Sequence, residues 1–131
     1  MSPTHLLDAN VLIALTVAEH EHHERASVWL SSISSFALCP VVEGALVRFL
    51  LRVGESGSTA AAVLSGVHAS ERCQFWPDAL TYSDVSLERL EGHGQVTDTY
   101  LAGLAGHFGG TLATFDSALA ARHPDTCLLI P

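Results

Sequence analysis

Short apolar segments alternate with helical patterns along the whole sequence, and this alternation constrains the fold more than any other feature. The segments that predict strands lie at positions 4–7, 36–39, 111–114 and 127–130, with a further strand end near 75–77. Helices are predicted at 10–17, 22–33, 41–53, 59–69, 84–90, 98–108 and 116–122, with Asn10 and Thr97 as capping residues of two of them. Strands separated by helices favour an α/β fold with a mainly parallel sheet.

Length and composition bound the class of protein. The chain has 131 residues, 48% apolar and 15% charged, which favours one folded domain over residues 1–131. A formal charge of −8 argues against a broad basic surface for nucleic acid, although metal ions and a few arginines could still hold one. Three cysteines fit neither a disulfide framework nor a zinc site, and the apolar stretch 11–18 is too short to span a membrane. We therefore expect a cytoplasmic protein.

Four acidic residues lie where strands end or helices begin. Asp8 and Asp116 each follow an apolar strand, whereas Asp98 and Glu43 lie in the first turns of apolar helices. Singly, each has an ordinary structural explanation as a helix cap, a turn residue or a partner of the helix dipole. Ligands of open α/β sheets bind at the carboxyl ends of the strands. Together, the four positions therefore predict carboxylates that converge on one edge of one sheet.

Convergent carboxylates need a counter-charge. Two like charges ~4 Å apart repel by about 4 kcal/mol at an effective dielectric constant of 20. A divalent cation removes that penalty, and oxygen ligands without a cysteine or histidine set suit Mg²⁺ or Mn²⁺. Such a site supports hydrolysis of a phosphodiester, because the metal makes water more acidic and neutralises charge that develops on the phosphate.

Four segments, at 6–13, 39–43, 96–102 and 112–116, occur in an order and at separations that resemble the PIN domain, and within it the VapC ribonuclease toxins. The resemblance extends from residue 4 to residue 130. It implies a single PIN-like domain with a three-layer α/β/α fold and a central sheet of about five strands. It also implies endonucleolytic cleavage of RNA that depends on Mg²⁺ or Mn²⁺.

The resemblance assigns roles to individual residues. Asp8 and Asp98 would bind the metal directly, and Glu43 and Asp116 would bind it directly or through water. The supporting polar positions are Asn10 and Thr114. The implied partners are an RNA substrate and a small VapB-type antitoxin, with the chain as a homodimer that forms a heterotetramer or larger assembly with the antitoxin.

Two other functions remain open from the sequence. A phosphatase of the haloacid type also begins with an aspartate at a strand end, but it needs a second aspartate two residues later, where this chain has Asn10, and a lysine, of which this chain has none. A non-catalytic binding module could keep the fold, although the presence of all four acids argues against it. The segment from His20 to Glu24 suggests a metal site, but it lacks the HExxH spacing and fits a solvated helix start better.

Overall fold

Five short strands form one parallel sheet in the computed structural model, which describes residues 3–131. The sheet order is β3-β2-β1-β4-β5, and every neighbouring pair is parallel. The inner strands are buried along almost their whole length, which explains why they read as continuous apolar runs rather than as an alternating pattern. The strands are β1 (His5–Leu7), β2 (Phe36–Leu38), β3 (Cys73–Phe75), β4 (Thr111–Thr114) and β5 (Cys127–Leu129).

Six helices connect the strands. The chain moves outward from β1 to β3 and then returns across β1 to β4. Because crossovers between parallel strands are right-handed as a rule, this order places α1–α4 on one face of the sheet and α5 and α6 on the other. The predicted three-layer α/β/α fold with a five-stranded parallel sheet is therefore confirmed. The helices are α1 (Ala9–Thr16), α2 (His23–Ser31), α3 (Pro40–Arg52), α4 (Gly57–His68), α5 (Val96–His107) and α6 (Ser117–Arg122).

The direction of the crossovers reverses between β1 and β4, and this is the point that positions the site. Leu6 pairs with Leu112 and Leu7 with Ala113, all four fully buried. The pairing continues one residue beyond β1, where the N–H of Asp8 donates to the carbonyl of Ala113 at 2.9 Å. A crevice at such a reversal, outside the carboxyl ends of the strands, is where open α/β sheets bind ligands.

Three local predictions were wrong. Positions 84–90 do not form the predicted α-helix. The chain forms 3-10 turns at Tyr82–Asp84 and Leu87–Arg89 instead, since the side chains there are largely exposed and pack no continuous apolar face. Asp8, not Asn10, caps α1, and α5 begins at Val96, so that Thr97 lies inside its first turn.

Within residues 3–131, no helix is both long and apolar enough to cross a membrane.

Candidate active site at the carboxyl edge of the sheet

Asp8 directly follows β1 and is 6% exposed. Its Oδ1 accepts a hydrogen bond from the backbone N–H of Ala9 at 2.8 Å, and its Oδ2 accepts one from the hydroxyl of Thr114 at 2.7 Å. The first bond caps α1, as expected for an aspartate at a helix start. Because both carboxylate oxygens are held, the side chain has a fixed orientation between β1 and β4.

The hydroxyl of Thr114, the last residue of β4, connects several polar groups of the site. It donates to Asp8, and it accepts from the backbone N–H of Asp116 at 3.0 Å and from the side-chain amide of Asn10 at 3.4 Å. The Oδ1 of Asn10 accepts in turn from the N–H of Phe115 at 3.4 Å. The structure thus places both predicted supporting residues, Asn10 and Thr114, beside the acids, where they can orient a carboxylate.

Asp116 and Asp98 approach Asp8 from the other layer of the fold. Asp116 caps α6 through Oδ1, which accepts from the N–H groups of Ala118 and Leu119 at 3.0 and 3.1 Å, and this leaves Oδ2 for another partner. Asp98 lies in the first turn of α5, half-buried, with its Oδ2 3.8 Å from Nη2 of Arg122. Helix starts therefore supply all three carboxylates.

The charges of Asp98 and Asp116 act on Asp8, and the charge of Asp116 acts on Asp98, so the three carboxylates lie within electrostatic range of one another. Burial is the main cause that raises the pKa of Asp8, and the charges of Asp98 and Asp116 raise it further against the hydrogen bonds from Thr114 and Ala9. Burial and then the charge of Asp116 also raise the pKa of Asp98, although Arg122 opposes the shift. The ionised cluster is thus unfavourable by itself, as expected of carboxylates gathered for a cation.

Glu43 is engaged elsewhere. It lies in the first turn of α3, at the same edge of the sheet, but its Oε2 is 2.5 Å from Nε2 of His68 at the end of α4. The Nδ1 of that imidazole lies 4.0 Å from Sγ of Cys73. The structure therefore places three of the four predicted acids within electrostatic range of one another and pairs the fourth with a histidine.

The donor set of this site fits a hard divalent cation. Carboxylate, hydroxyl and amide oxygens are ligands of Mg²⁺ and Mn²⁺, and Mg²⁺ commonly takes one or two carboxylates and keeps several waters. Among residues 3–131, no group of three or more histidine, cysteine, aspartate or glutamate side chains is arranged to hold a metal ion without some movement of the side chains. The segment around His20 is no exception, since His23 is 2.8 Å from the carbonyl of Ala14 and His20 accepts from the N–H of His22.

Sequence reasoning missed two basic partners of the acids, His68 and Arg122. His68 is 25 residues from Glu43 and reaches it only because α4 packs against α3. Arg122 ends the short helix that Asp116 caps, and the length of that helix carries it back to Asp98. No local pattern signals either contact, because each depends on the way two helices pack.

The raised pKa values of Asp8 and Asp98 predict a pH dependence of stability without metal. A carboxyl group whose folded-state pKa is raised contributes stability that is fully present below its unfolded pKa, about 3.9, and is lost as the pH rises through the folded-state pKa. Asp8→Asn keeps the oxygen that caps α1 but carries no charge. We therefore expect its free energy of unfolding to exceed that of the native chain by an amount that grows as the pH rises above about 4. Urea unfolding in EDTA measures this, and a difference that is flat or falls with pH would contradict it.

The sequence is similar to that of known ribonucleases. Residues 5–123 match the PIN domain family. The sequence is 54% identical over 129 residues to Ribonuclease VapC29 of Mycobacterium tuberculosis, with 98% of this chain and 97% of the relative covered.

Two solved structures share the fold. The first is Mycobacterium tuberculosis VapC20, described as a sarcin-ricin loop cleaving toxin, with a TM-score of 0.68 and 18% identity over 89% of this chain and 93% of that one. The second is VapBC2 from Rickettsia felis bound to a DNA fragment from its promoter, with a TM-score of 0.64 and 15% identity over 95% of this chain and 96% of that one. At these identities, the likeness is one of fold.

Proposed function

The chain belongs to the PIN domain family, among its VapC-type ribonucleases, and from this premise we propose that it is the endoribonuclease toxin of a toxin–antitoxin pair. The proposed reaction is hydrolysis of an RNA phosphodiester bond, in which the oxygen of a water molecule attacks phosphorus and the bond to the leaving ribose oxygen breaks. The observation that carries the proposal is the cluster of Asp8, Asp98 and Asp116 at the point where the crossovers reverse.

We propose Mg²⁺ or Mn²⁺ as the cation, held by Asp8 and Asp98, with Asp116 and Glu43 bound directly or through water. When bound, the cation stabilises the charge that develops on the phosphate and makes water more acidic. Support comes from the raised pKa of Asp8, since burial beside two further carboxylates leaves an excess of negative charge that the chain itself does not balance.

In this proposal, the residues of the site have different roles. Thr114 and the N–H of Ala9 hold the Asp8 carboxylate in one orientation, so that it needs little reorganisation before the reaction. Asp116 keeps Oδ2 free to orient the attacking water. Glu43 joins the cluster only after its carboxylate leaves His68, so the histidine competes for it.

Cleavage of RNA by the native protein is the direct test. We expect the native chain to cut RNA internally in the presence of Mg²⁺ or Mn²⁺ and EDTA to stop the reaction, because the carboxylate cluster needs a cation to accept a phosphate. Gel analysis of end-labelled RNA measures this. Intact RNA under both metals would contradict the proposal, and intact but bound RNA would favour a non-catalytic binding module.

A second readout does not depend on the substrate. Mg²⁺ or Mn²⁺ should raise the melting temperature of the native chain, since a ligand that binds the folded state stabilises it by about 2.7 kcal/mol at a hundred times its dissociation constant. Glu71→Gln is the control, because this exposed acid precedes β3 at the other edge of the sheet. Its shift should equal that of the native chain, whereas Asp8→Asn should lose most of the shift.

We also propose a small VapB-type antitoxin as the partner and a toxin dimer within a larger assembly. An acidic chain of formal charge −8 fits a partner with basic residues, and an arginine of that partner could reach the three aspartates. A single domain over 1–131 and a cytoplasmic location stay predictions.

A further inference from the structure

The position of Glu43 in the fold allows its carboxylate two directions. In the sheet order, β2 lies between β1, which Asp8 follows, and β3, which begins at Cys73. Glu43 lies in the first turn of the helix that follows β2, so its side chain can turn towards the aspartates or towards β3. It turns towards β3, where its Oε2 is 2.5 Å from Nε2 of His68. The fourth acid is therefore bound to a histidine of the fold instead of joining the cluster.

The imidazole of His68 is held in place by groups from two elements. His68 is the last residue of α4, and its Nδ1 lies 4.0 Å from Sγ of Cys73 in β3. Its ring also lies beside the ring of Phe75, with centroids 6.4 Å apart. The side chains of Glu43 and His68 are only 20% and 38% exposed, so water screens their hydrogen bond in part. The contact is thus part of the packing of α3, α4 and β3.

The charges of the acids confirm this separation. Burial, followed by the charge of Glu43, raises the pKa of Cys73 to about 11. The charges that raise the pKa of Asp8 are instead those of Asp98 and Asp116. The Glu43 carboxylate therefore acts on the surroundings of β3, whereas the three aspartates act on one another.

We propose that His68 is a positioning residue that holds the Glu43 carboxylate away from the three aspartates and thereby lowers the affinity of the site for its divalent cation. This inference rests on the proposed function and adds a control of cation binding to it. A cation at the aspartates gains the fourth carboxylate only if the hydrogen bond between Glu43 and His68 breaks. A hydrogen bond to a charged group is a strong one, so its loss offsets part of what the extra ligand contributes.

Binding of Mn²⁺ alone tests the proposal without substrate or cleavage, with electron paramagnetic resonance of the free ion at one fixed pH as the measurement. His68→Phe removes the nitrogen that contacts Glu43 and keeps a ring beside Phe75. We expect it to bind Mn²⁺ about tenfold more tightly than the native chain, which corresponds to about 1.4 kcal/mol, the order of one hydrogen bond to a charged group. His107→Phe is the matched control and should bind as the native chain does, because His107 is the exposed last residue of α5, a helix of the same length.

The double variant assigns the gain to Glu43. In a Glu43→Gln background, His68→Phe should leave the affinity for Mn²⁺ unchanged, since no carboxylate is released. A gain that persists in this background would overturn the proposal, and so would a single His68→Phe variant that binds Mn²⁺ with native or weaker affinity. The weaker affinity would mean that His68 orients Glu43 for the cation instead of withholding it.

Glu43→Gln by itself gives a check that does not require His68→Phe to fold. A carboxylate held at His68 contributes little to the cation, so this variant should weaken Mn²⁺ binding far less than Asp8→Asn does. An equal loss in the two variants would overturn the proposal while the ribonuclease stands, because the cation site would then include all four acids. A native chain that binds no Mn²⁺ would instead contradict the cation site of the proposed function, and this inference with it.

Discussion

Asp98→Asn is expected to abolish cleavage of RNA, with a loss of kcat of roughly 10³-fold or more, the scale seen when a group that acts on charge in the transition state is removed. The substitution keeps the size of the side chain, but it replaces one acceptor oxygen with an amide NH2 donor and removes one of the negative charges that the proposed cation requires. It also frees Arg122, 3.8 Å away, to turn towards a carboxylate that remains. Single-turnover cleavage of labelled RNA with saturating Mg²⁺ or Mn²⁺ measures the loss.

The fold should survive this change. Burial and the charge of Asp116 raise the pKa of Asp98, so the ionised aspartate is unfavourable at neutral pH and a neutral side chain should leave the melting temperature unchanged or higher without metal. Glu71→Gln makes the same carboxylate-to-amide change outside the site and should cleave normally. An Asp98→Asn protein that retains native cleavage would remove this residue from the site, whereas one that is inactive and unfolded would require a milder variant, Asp98→Glu, for the same comparison.

The sequence was sufficient to predict the layers of the fold because its three inner strands are buried on both faces. Runs such as Leu6-Leu7 and Leu112-Ala113 contain no polar residue, and a helix or loop follows each one, which leaves few arrangements other than a parallel sheet. The bounds of β4 were predicted to the residue, Thr111–Thr114. Gly110 before it and Asp116 after it interrupt the apolar pattern and mark its ends.

Contacts between helices could not be predicted in the same way. Positions 84–90 contain Leu87 and Leu90 at helical spacing, but Leu87 is 41% exposed and the chain there forms 3-10 turns instead. Helical spacing predicts a helix only where a neighbouring surface buries the apolar face, and the sequence does not show that surface. The same limit explains why the pairing of Glu43 with His68 was missed.

The same limit applies to the candidate site, where the sequence predicts some positions but not all contacts. The positions of Asp8 and Asp116 follow from the ends of two strands that are neighbours in the sheet, so local patterns and the fold class together place them at one edge. The side chain of Glu43 also begins at that edge, but its direction depends on α4. Backbone placement was thus predictable from the sequence, whereas the direction of a long side chain was not.

Gly110 occupies a position where the sheet that holds the site leaves no space for a side chain. A Cβ at this position would overlap the backbone oxygen of Thr4 and would lie 2.8 Å from Cη2 of Trp76. Neither neighbour moves easily, because Thr4 continues into β1 and the indole of Trp76 stacks on Phe108 with ring centroids 4.7 Å apart. The β1–β4 pairing would have to shift, and this pairing sets the positions of Asp8 and Asp116.

We therefore expect Gly110→Ala to lower the free energy of unfolding by about 3 kcal/mol, at the upper end of the usual cost of overpacking. Gly66→Ala is the matched control, because Gly66 lies on the exposed side of α4 with no atom within 4 Å of an added Cβ. That control should gain roughly 0.5–1 kcal/mol from helix propensity. Urea unfolding followed by circular dichroism compares the two variants. A Gly110→Ala protein as stable as Gly66→Ala would contradict the close contact of Gly110 with Thr4 and Trp76. Any cleavage that Gly110→Ala retains should fall further than its folded fraction, since a displaced β4 carries Thr114 and Asp116 away from Asp8.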